Sequence, residues 1–227
     1  MFHPGASATK IASVSEAAIP ILHQDEHLLA VDKPPGILVV NAPGRRGLTL
    51  LDRLAAQIGG PVLPVHRLDE ETSGALLFAR TEAARTALEG LFRKHAVERV
   101  YRALVSRPPP QPAARIESRL REDAHGVMRS VSGGAGETAI TDYRVLARTR
   151  DGTLLECRLH TGRRNQIRAH LAELGCPIVG DRKYGHRPRG ARPGRLMLHS
   201  YGITLRHPIT GNVVSVVAEP QETSLRG

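Results

Sequence analysis

Apolar residues in this chain fall into short runs cut by turn residues, the spacing of strands and short helices. Leu28-Leu29-Ala30-Val31 reads as a strand, stopped by Asp32-Lys33-Pro34-Pro35-Gly36, where two prolines and a glycine impose a turn. Thr49 and Asp52 have capping-box spacing and open a helix with Leu51, Leu54, Ala55 and Ile58 on one face. The run Ala75–Ala79 reads as a buried strand. Thr81 then caps a second helix whose buried stripe is Ala84, Ala87, Leu88, Leu91 and Phe92. Val100–Val105 is a further strand, closed by the stiff segment Pro108-Pro109-Pro110-Gln111-Pro112.

Residues 115–137 are polar and glycine-rich, with short strand candidates at best. Thr138–Ala147 alternates as a strand does, and so does Leu155–His160. After the Thr161-Gly162 turn, a helix from about Arg164 to Leu174 carries Ile167, Leu171 and Leu174 inward and ends at Gly175. A basic loop at 185–195 precedes strands near Leu196–Leu205 and Val213–Val217, joined through Pro208–Gly211 as a hairpin. Residues 1–24 are weakly patterned, an extension or a partial first strand. The pattern predicts an α+β fold: one domain over 25–227, with a mostly antiparallel mixed sheet flanked by helices.

Composition narrows the class. No apolar run approaches the roughly 20 residues that cross a bilayer, and the N-terminus lacks the apolar core of an export signal. Cys157 and Cys176 make neither a disulfide framework nor a zinc site, so reduced thiols in a cytoplasmic protein are expected. The net charge is +10, and 28 of the 32 basic residues are Arg. A guanidinium fork matches phosphate oxygens, so the partner expected is a nucleic acid. With no Trp, three Phe and four Tyr, the chain is poor in the aromatic platforms that passive single-strand binders use.

Three polar clusters lie at element ends. In His66-Arg67-Leu68-Asp69-Glu70-Glu71-Thr72-Ser73-Gly74, Asp69 sits in a turn that leads straight into a buried strand. It is either a turn carboxylate bonded to the backbone of Glu71 and Thr72 or the working group of a site. Tyr101 begins as a core tyrosine with its hydroxyl at the rim. In Thr161–Arg168, Arg164 and Arg168 stand four apart and share a helix face, which taken alone is a solvated basic face.

Together, and in this order, these blocks resemble the RluA-type RNA pseudouridine synthases. The resemblance is carried by the Asp69 block, the Asp32–Gly36 turn, Tyr101-Arg102-Ala103-Leu104-Val105, TGRRNQIRAHLAELGCPIVGDRKYG, and Leu198-His199-Ser200 ahead of His207-Pro208. It covers about residues 25–218 and implies the pseudouridine synthase fold. It implies that Asp69 attacks a flipped uridine, at the ribose with elimination to a glycal or at the uracil ring. Either way the glycosidic bond breaks, the uracil rotates while bound, and C5 bonds C1′. Arg168 matches the basic partner of the aspartate. Tyr101 matches the tyrosine that packs on the uracil and moves the final proton. Arg67 matches the arginine that fills the gap left by the flipped nucleotide, and Ile167 lines the base pocket. His66, Thr72, Arg163 and Arg164 are expected to bind substrate beside them.

Flipping costs a few kcal/mol, which phosphate contacts must offset. The isomerisation implies neither cofactor nor metal. The expected partner is RNA, a ribosomal or transfer RNA stem-loop, met by a monomer without a membrane or a required protein partner. Arg187, Arg189, Arg192 and Arg195 are candidates for phosphate contact. Two positions depart from the family pattern: Asn165 replaces its usual His and Arg99 its usual Lys. Many relatives also carry an N-terminal S4 domain, for which 24 residues are too few. Alternatives of other kinds are a catalytically silent RNA-binding protein of the same fold, a hydrolase of N-glycosidic bonds using Glu70 or Glu71, and a basic DNA binder.

Overall fold

The computed structural model describes residues 18–42, 44–45, 47–185, 194–222 and 225–226. The first strands are β1 (Ile21–Gln24) and β2 (Leu28–Lys33). Helix α1 (Leu50–Ile58) follows, then β3 (Leu63–Pro64), β4 (Ser73–Ala79) and helix α2 (Glu82–Arg93). Next come β5 (Glu98–Val105), β6 (Ala113–Glu122), β7 (Met128–Ser130), β8 (Glu137–Thr149) and β9 (Gly152–Leu159). Helix α3 (Gln166–Glu173) leads to β10 (Leu198–Arg206) and β11 (Val213–Val217).

These strands form one mixed sheet in the order β1-β2-β4-β10-β5-β9-β8-β6-β7, with β3 beside β4 and β11 beside β10. The β4–β10 pair is parallel and the other pairs are antiparallel. The α+β reading and the mostly antiparallel sheet therefore describe the molecule.

The two halves of the sheet are covered differently. In β2, Leu29 and Val31 face α1, while Leu28 and Ala30 face the opposite layer with Ala84 and Leu88 of α2. Burial on both faces explains the continuous apolar runs of β2 and β4. Farther along, Tyr101, Tyr143, Leu155 and Cys157 join the same core as Ile167 and Leu171 of α3. The reverse side there carries ion pairs instead: Arg115–Asp142, Arg144–Glu156 and Arg158–Glu98.

That half-covered geometry is why β6 escaped the polar reading of residues 115–137. Its ten residues alternate between exposed and sheltered positions, with only Leu120 fully buried. Other boundaries also move. Ile21–Gln24 belongs to the sheet, in antiparallel register with Leu29–Val31, so of the two readings of residues 1–24 the partial first strand is the one found at their end, and the domain begins before residue 25. In α1 the buried residues are Leu50 and Leu54, while Ala55 is exposed. The α1 cap forms as spaced, with Thr49 and Asp52 bonding each other's backbone.

Candidate active site

Asp69 lies in the loop that feeds β4, and that loop is anchored from an unexpected quarter. Lys33, fully buried at the end of β2, donates from Nζ to the carbonyls of Pro34 (3.0 Å), Glu70 (2.9 Å) and Thr72 (2.8 Å). Burial pushes its ammonium down to about 7, against the pull of Asp69 and Glu70. Gly36 N–H bonds the Glu70 carbonyl at 2.8 Å, and Arg45 pairs with the Glu70 carboxylate. The proline-rich turn after β2 is thus a clamp on the Asp69 loop. Nothing in the local pattern marks Lys33 for this, because two of its three acceptors, Glu70 and Thr72, lie in a distant loop.

The Asp69 carboxylate turns away from its own backbone. Its Oδ2 accepts from Arg168 Nη1 at 3.0 Å and from Asn165 Nδ2 at 2.6 Å. Arg168 spends the rest of its fork on Asp181, with Nε–Oδ2 at 2.8 Å and Nη2–Oδ1 at 2.9 Å. Burial opposes the arginine's charge, but the bonds to Asp181 and the charges of Asp181 and Asp69 outweigh it and raise its pKa. Asp181 is fully buried and also accepts from the backbone N–H groups of Lys183 and Tyr184.

The α3 helix starts later than its sequence suggests. Asn165 is its N-cap, in the left-handed region at φ +49°, so Arg164 precedes the helix. Arg164 and Arg168 accordingly do not share a helix face. Arg168 is buried, whereas Arg164 reaches Glu122 at the end of β6. Gln166 pins this turn. Its Oε1 accepts from the Thr161 hydroxyl and Arg163 N–H, and its amide donates to the Ile140 carbonyl and Thr141.

Between the Asp69 loop and the α3 turn lies an open cleft of roughly 300 Å³, lined by Arg67, Asp69, Thr72, Tyr101, Ile167 and Arg168 among others. Tyr101 rises from β5 between Ser200 of β10 and Cys157 of β9. Burial pushes its hydroxyl above its ordinary pKa, with Arg99 opposing. Thr72 brings a buried hydroxyl that has no hydrogen-bond partner among the described residues. Arg67 is exposed and, among the described residues, makes no ion pair. Arg163 and Arg164 line the same cleft, but their heads are engaged by Glu137 and Glu122.

Two expected contacts fall elsewhere. His66 stacks on Phe92 at 4.4 Å between ring centroids and accepts from Leu77 N–H at 3.0 Å. Burial pushes its pKa down to about 3, and it supports β4 rather than lining the cleft. Arg195 is bound to Glu222 and the Leu196 carbonyl, so it is not a free phosphate arm. Arg187, Arg189 and Arg192 lie outside the described residues. Glu70 is turned to Arg45, and neither it nor Glu71 lines the cleft, so a two-carboxylate glycosidase loses its geometric basis.

A family model described as RNA pseudouridylate synthase matches residues 27–173. The chain belongs to that family. Its activity is that of an RNA pseudouridine synthase, an isomerase. The "Ribosomal large subunit pseudouridine synthase D" of Zymomonas mobilis subsp. mobilis is 35% identical over 230 residues, covering 91% of this chain and 71% of the relative. An "Uncharacterized RNA pseudouridine synthase" of Chloroflexus aurantiacus is 39% identical over 187 residues, covering 79% of this chain and 59% of that protein. The chain therefore spans between about three fifths and seven tenths of these relatives' lengths. Among solved structures, "Human RNA Pseudouridylate Synthase Domain Containing 1" superposes with a TM-score of 0.76 at 28% identity, covering 92% of this chain and 86% of that one.

Proposed function

We propose that this synthase acts on ribosomal RNA of the large subunit, with Asp69 as its nucleophile. The reading rests above all on one observation: Asp69 presents a carboxylate to a cleft it shares with Tyr101, while Arg168, 99 residues away, holds it from behind. Names among the relatives favour ribosomal over transfer RNA, since three of the first four are large-subunit enzymes. A net charge of +10 suits a polyanion.

In this reading a target uridine leaves its stack and enters the cleft, with Arg67 filling the gap it vacates. Arg168 holds the Asp69 carboxylate aimed while it acts on the nucleoside. The N1–C1′ bond breaks, and Tyr101 and Ile167 retain the freed uracil. The base turns, its C5 bonds C1′, the C5 proton leaves with Tyr101 placed to carry it, and N1 takes up a proton in its place. Atoms balance without redox change, as an isomerisation requires. Thr72 offers an unpaired hydroxyl to the bound nucleotide. The protein works as a monomer in the cytoplasm, where its RNA is found.

Tritium release from RNA labelled at uridine C5 tests this, using separate large-subunit and transfer RNA transcripts. Release from the ribosomal transcript, abolished in Asp69→Asn with RNA affinity retained, is the expected result. Undiminished release by Asp69→Asn would remove the nucleophile assignment. Release from transfer RNA alone would overturn the substrate class.

A further inference from the structure

We propose that Asn165 is a positioning residue that, with Arg168, ties down Oδ2 of Asp69 and so leaves Oδ1 as the reacting oxygen. The inference rests on the reading of Asp69 as nucleophile and extends it to a single atom.

The orientation of the Asn165 amide is dictated by its neighbours. Its Oδ1 lies 3.1 Å from Lys183 Nζ and 3.4 Å from the Tyr184 hydroxyl. An ammonium can only donate, so the end facing Lys183 must be the oxygen. The Tyr184 hydroxyl already accepts from Met128 N–H at 3.0 Å, which leaves its own proton for Asn165. The NH₂ end is therefore forced toward Asp69 Oδ2, at 2.6 Å. Lys183 is itself moored to the Gly126 carbonyl at 2.6 Å, in the β6–β7 turn.

The consequence at Asp69 is asymmetric. Oδ2 receives two donors, from Asn165 and Arg168. Among the described residues Oδ1 accepts no hydrogen bond. A carboxylate held by one oxygen on two sides cannot spin about its Cβ–Cγ bond without losing both bonds, so Oδ1 keeps one heading. That restraint matters because small misplacement of a reacting atom costs rate steeply.

Asn also suits the left-handed backbone at this position, and the test must separate that demand from the amide. Asn165→Gly accepts the backbone and removes the donor. Asn165→Asp accepts the backbone, keeps the shape, and sets a carboxylate against a carboxylate. The charged and titratable groups around it are Asp69 from the loop, Arg168 from α3, Lys183 and Tyr184 from the segment after α3, and Arg164 with Glu122 alongside. Two facing carboxyls share a proton more readily as pH falls, and the protonated one donates again.

Single-turnover tritium release, RNA affinity and thermal unfolding are measured for Asn165→Gly, Asn165→Asp and Lys183→Met. Expected is a rate loss of about tenfold to a hundredfold in both Asn165 variants, with RNA affinity within about twofold of wild type. The Asn165→Asp rate, relative to wild type, rises from mildly alkaline to mildly acidic pH. Lys183→Met slows the reaction less, and its effect does not add to that of Asn165→Gly. A wild-type rate in Asn165→Gly overturns the proposal. So does a parallel fall of rate, affinity and melting temperature with no pH-dependent recovery in Asn165→Asp. Asp69→Asn, run alongside, separates the two levels: if it turns over, the nucleophile assignment has failed; if it is dead while Asn165→Gly keeps the wild-type rate, only the role of Asn165 has.

Discussion

Arg168 is gripped by Asp181 before it touches Asp69. The two form a two-pronged pair at 2.8 and 2.9 Å, with Asp181 fully buried, and only Nη1 is left to reach forward to Asp69 at 3.0 Å. The direction of that third contact is set by the first two, since a planar guanidinium fixed at two nitrogens has one heading for the other.

Asp181→Asn leaves this arginine buried beside a neutral amide that cannot accept from both prongs. Losing one partner of a buried pair costs about 3–5 kcal/mol. Denaturant titration should show a drop of that order, and single-turnover rates should fall about tenfold or more while RNA affinity changes little. Unchanged stability and rate would mean that Asp181 does not support the site.

Lys33→Met removes the clamp on the Asp69 loop. Three carbonyls lose this donor, though that of Glu70 keeps the Gly36 N–H, while the cost of burying an ammonium disappears, so the net change in stability is small, within about 1 kcal/mol. Activity should nevertheless fall about tenfold or more, because the loop that places Asp69 is released. Amide exchange across residues 66–72 should quicken in step. Turnover at the wild-type rate with unaltered exchange would contradict the clamp.

Gly74 sits at φ +106°, and a Cβ there would lie 2.3 Å from the Ser200 carbonyl oxygen. The parallel β4–β10 contact depends on that approach. Gly74→Ala should cost about 2–4 kcal/mol, from backbone strain and from forcing the strands apart. Thermal melting checks this; a melting temperature equal to that of wild type would show that the strands can yield.

His170 is buried between Ser118 and Thr141, and burial lowers its pKa from 6.5 to about 4. The unfolded chain therefore binds this proton first as pH falls. Its contribution to stability is fully present above 6.5 and is lost as pH drops through that window toward 4. The loss amounts to about 3 kcal/mol. His170→Gln keeps the hydrogen-bonding capacity and cannot titrate, so its denaturation midpoint should vary less with pH there. Identical slopes for the two proteins would remove His170 as a source.

Much of the framework could be read directly along the chain. The caps of α1 and α2, the apolar run Ala75–Ala79 of β4, the hairpin at Pro208–Gly211 and the blocks holding Asp69, Tyr101 and Arg168 are patterns among near neighbours. Helix and strand periodicity are properties of consecutive residues, so they survive in one dimension. Strand β6 was harder to see, because a strand covered on one face and laced with ion pairs on the other looks like loop composition.

The partners were not legible. His66 stands beside Arg67 and Asp69 in the chain yet packs on Phe92, whereas Lys33 reaches the same loop from another strand. Asp181 and Asn165 divide the surroundings of Asp69 between the fork of an arginine and the end of an amide. Those choices depend on which donor meets which oxygen within about 3 Å. Only chain segments brought together from far apart can settle that, and a left-handed residue at the start of α3 was enough to send Arg164 outward and Arg168 into the core.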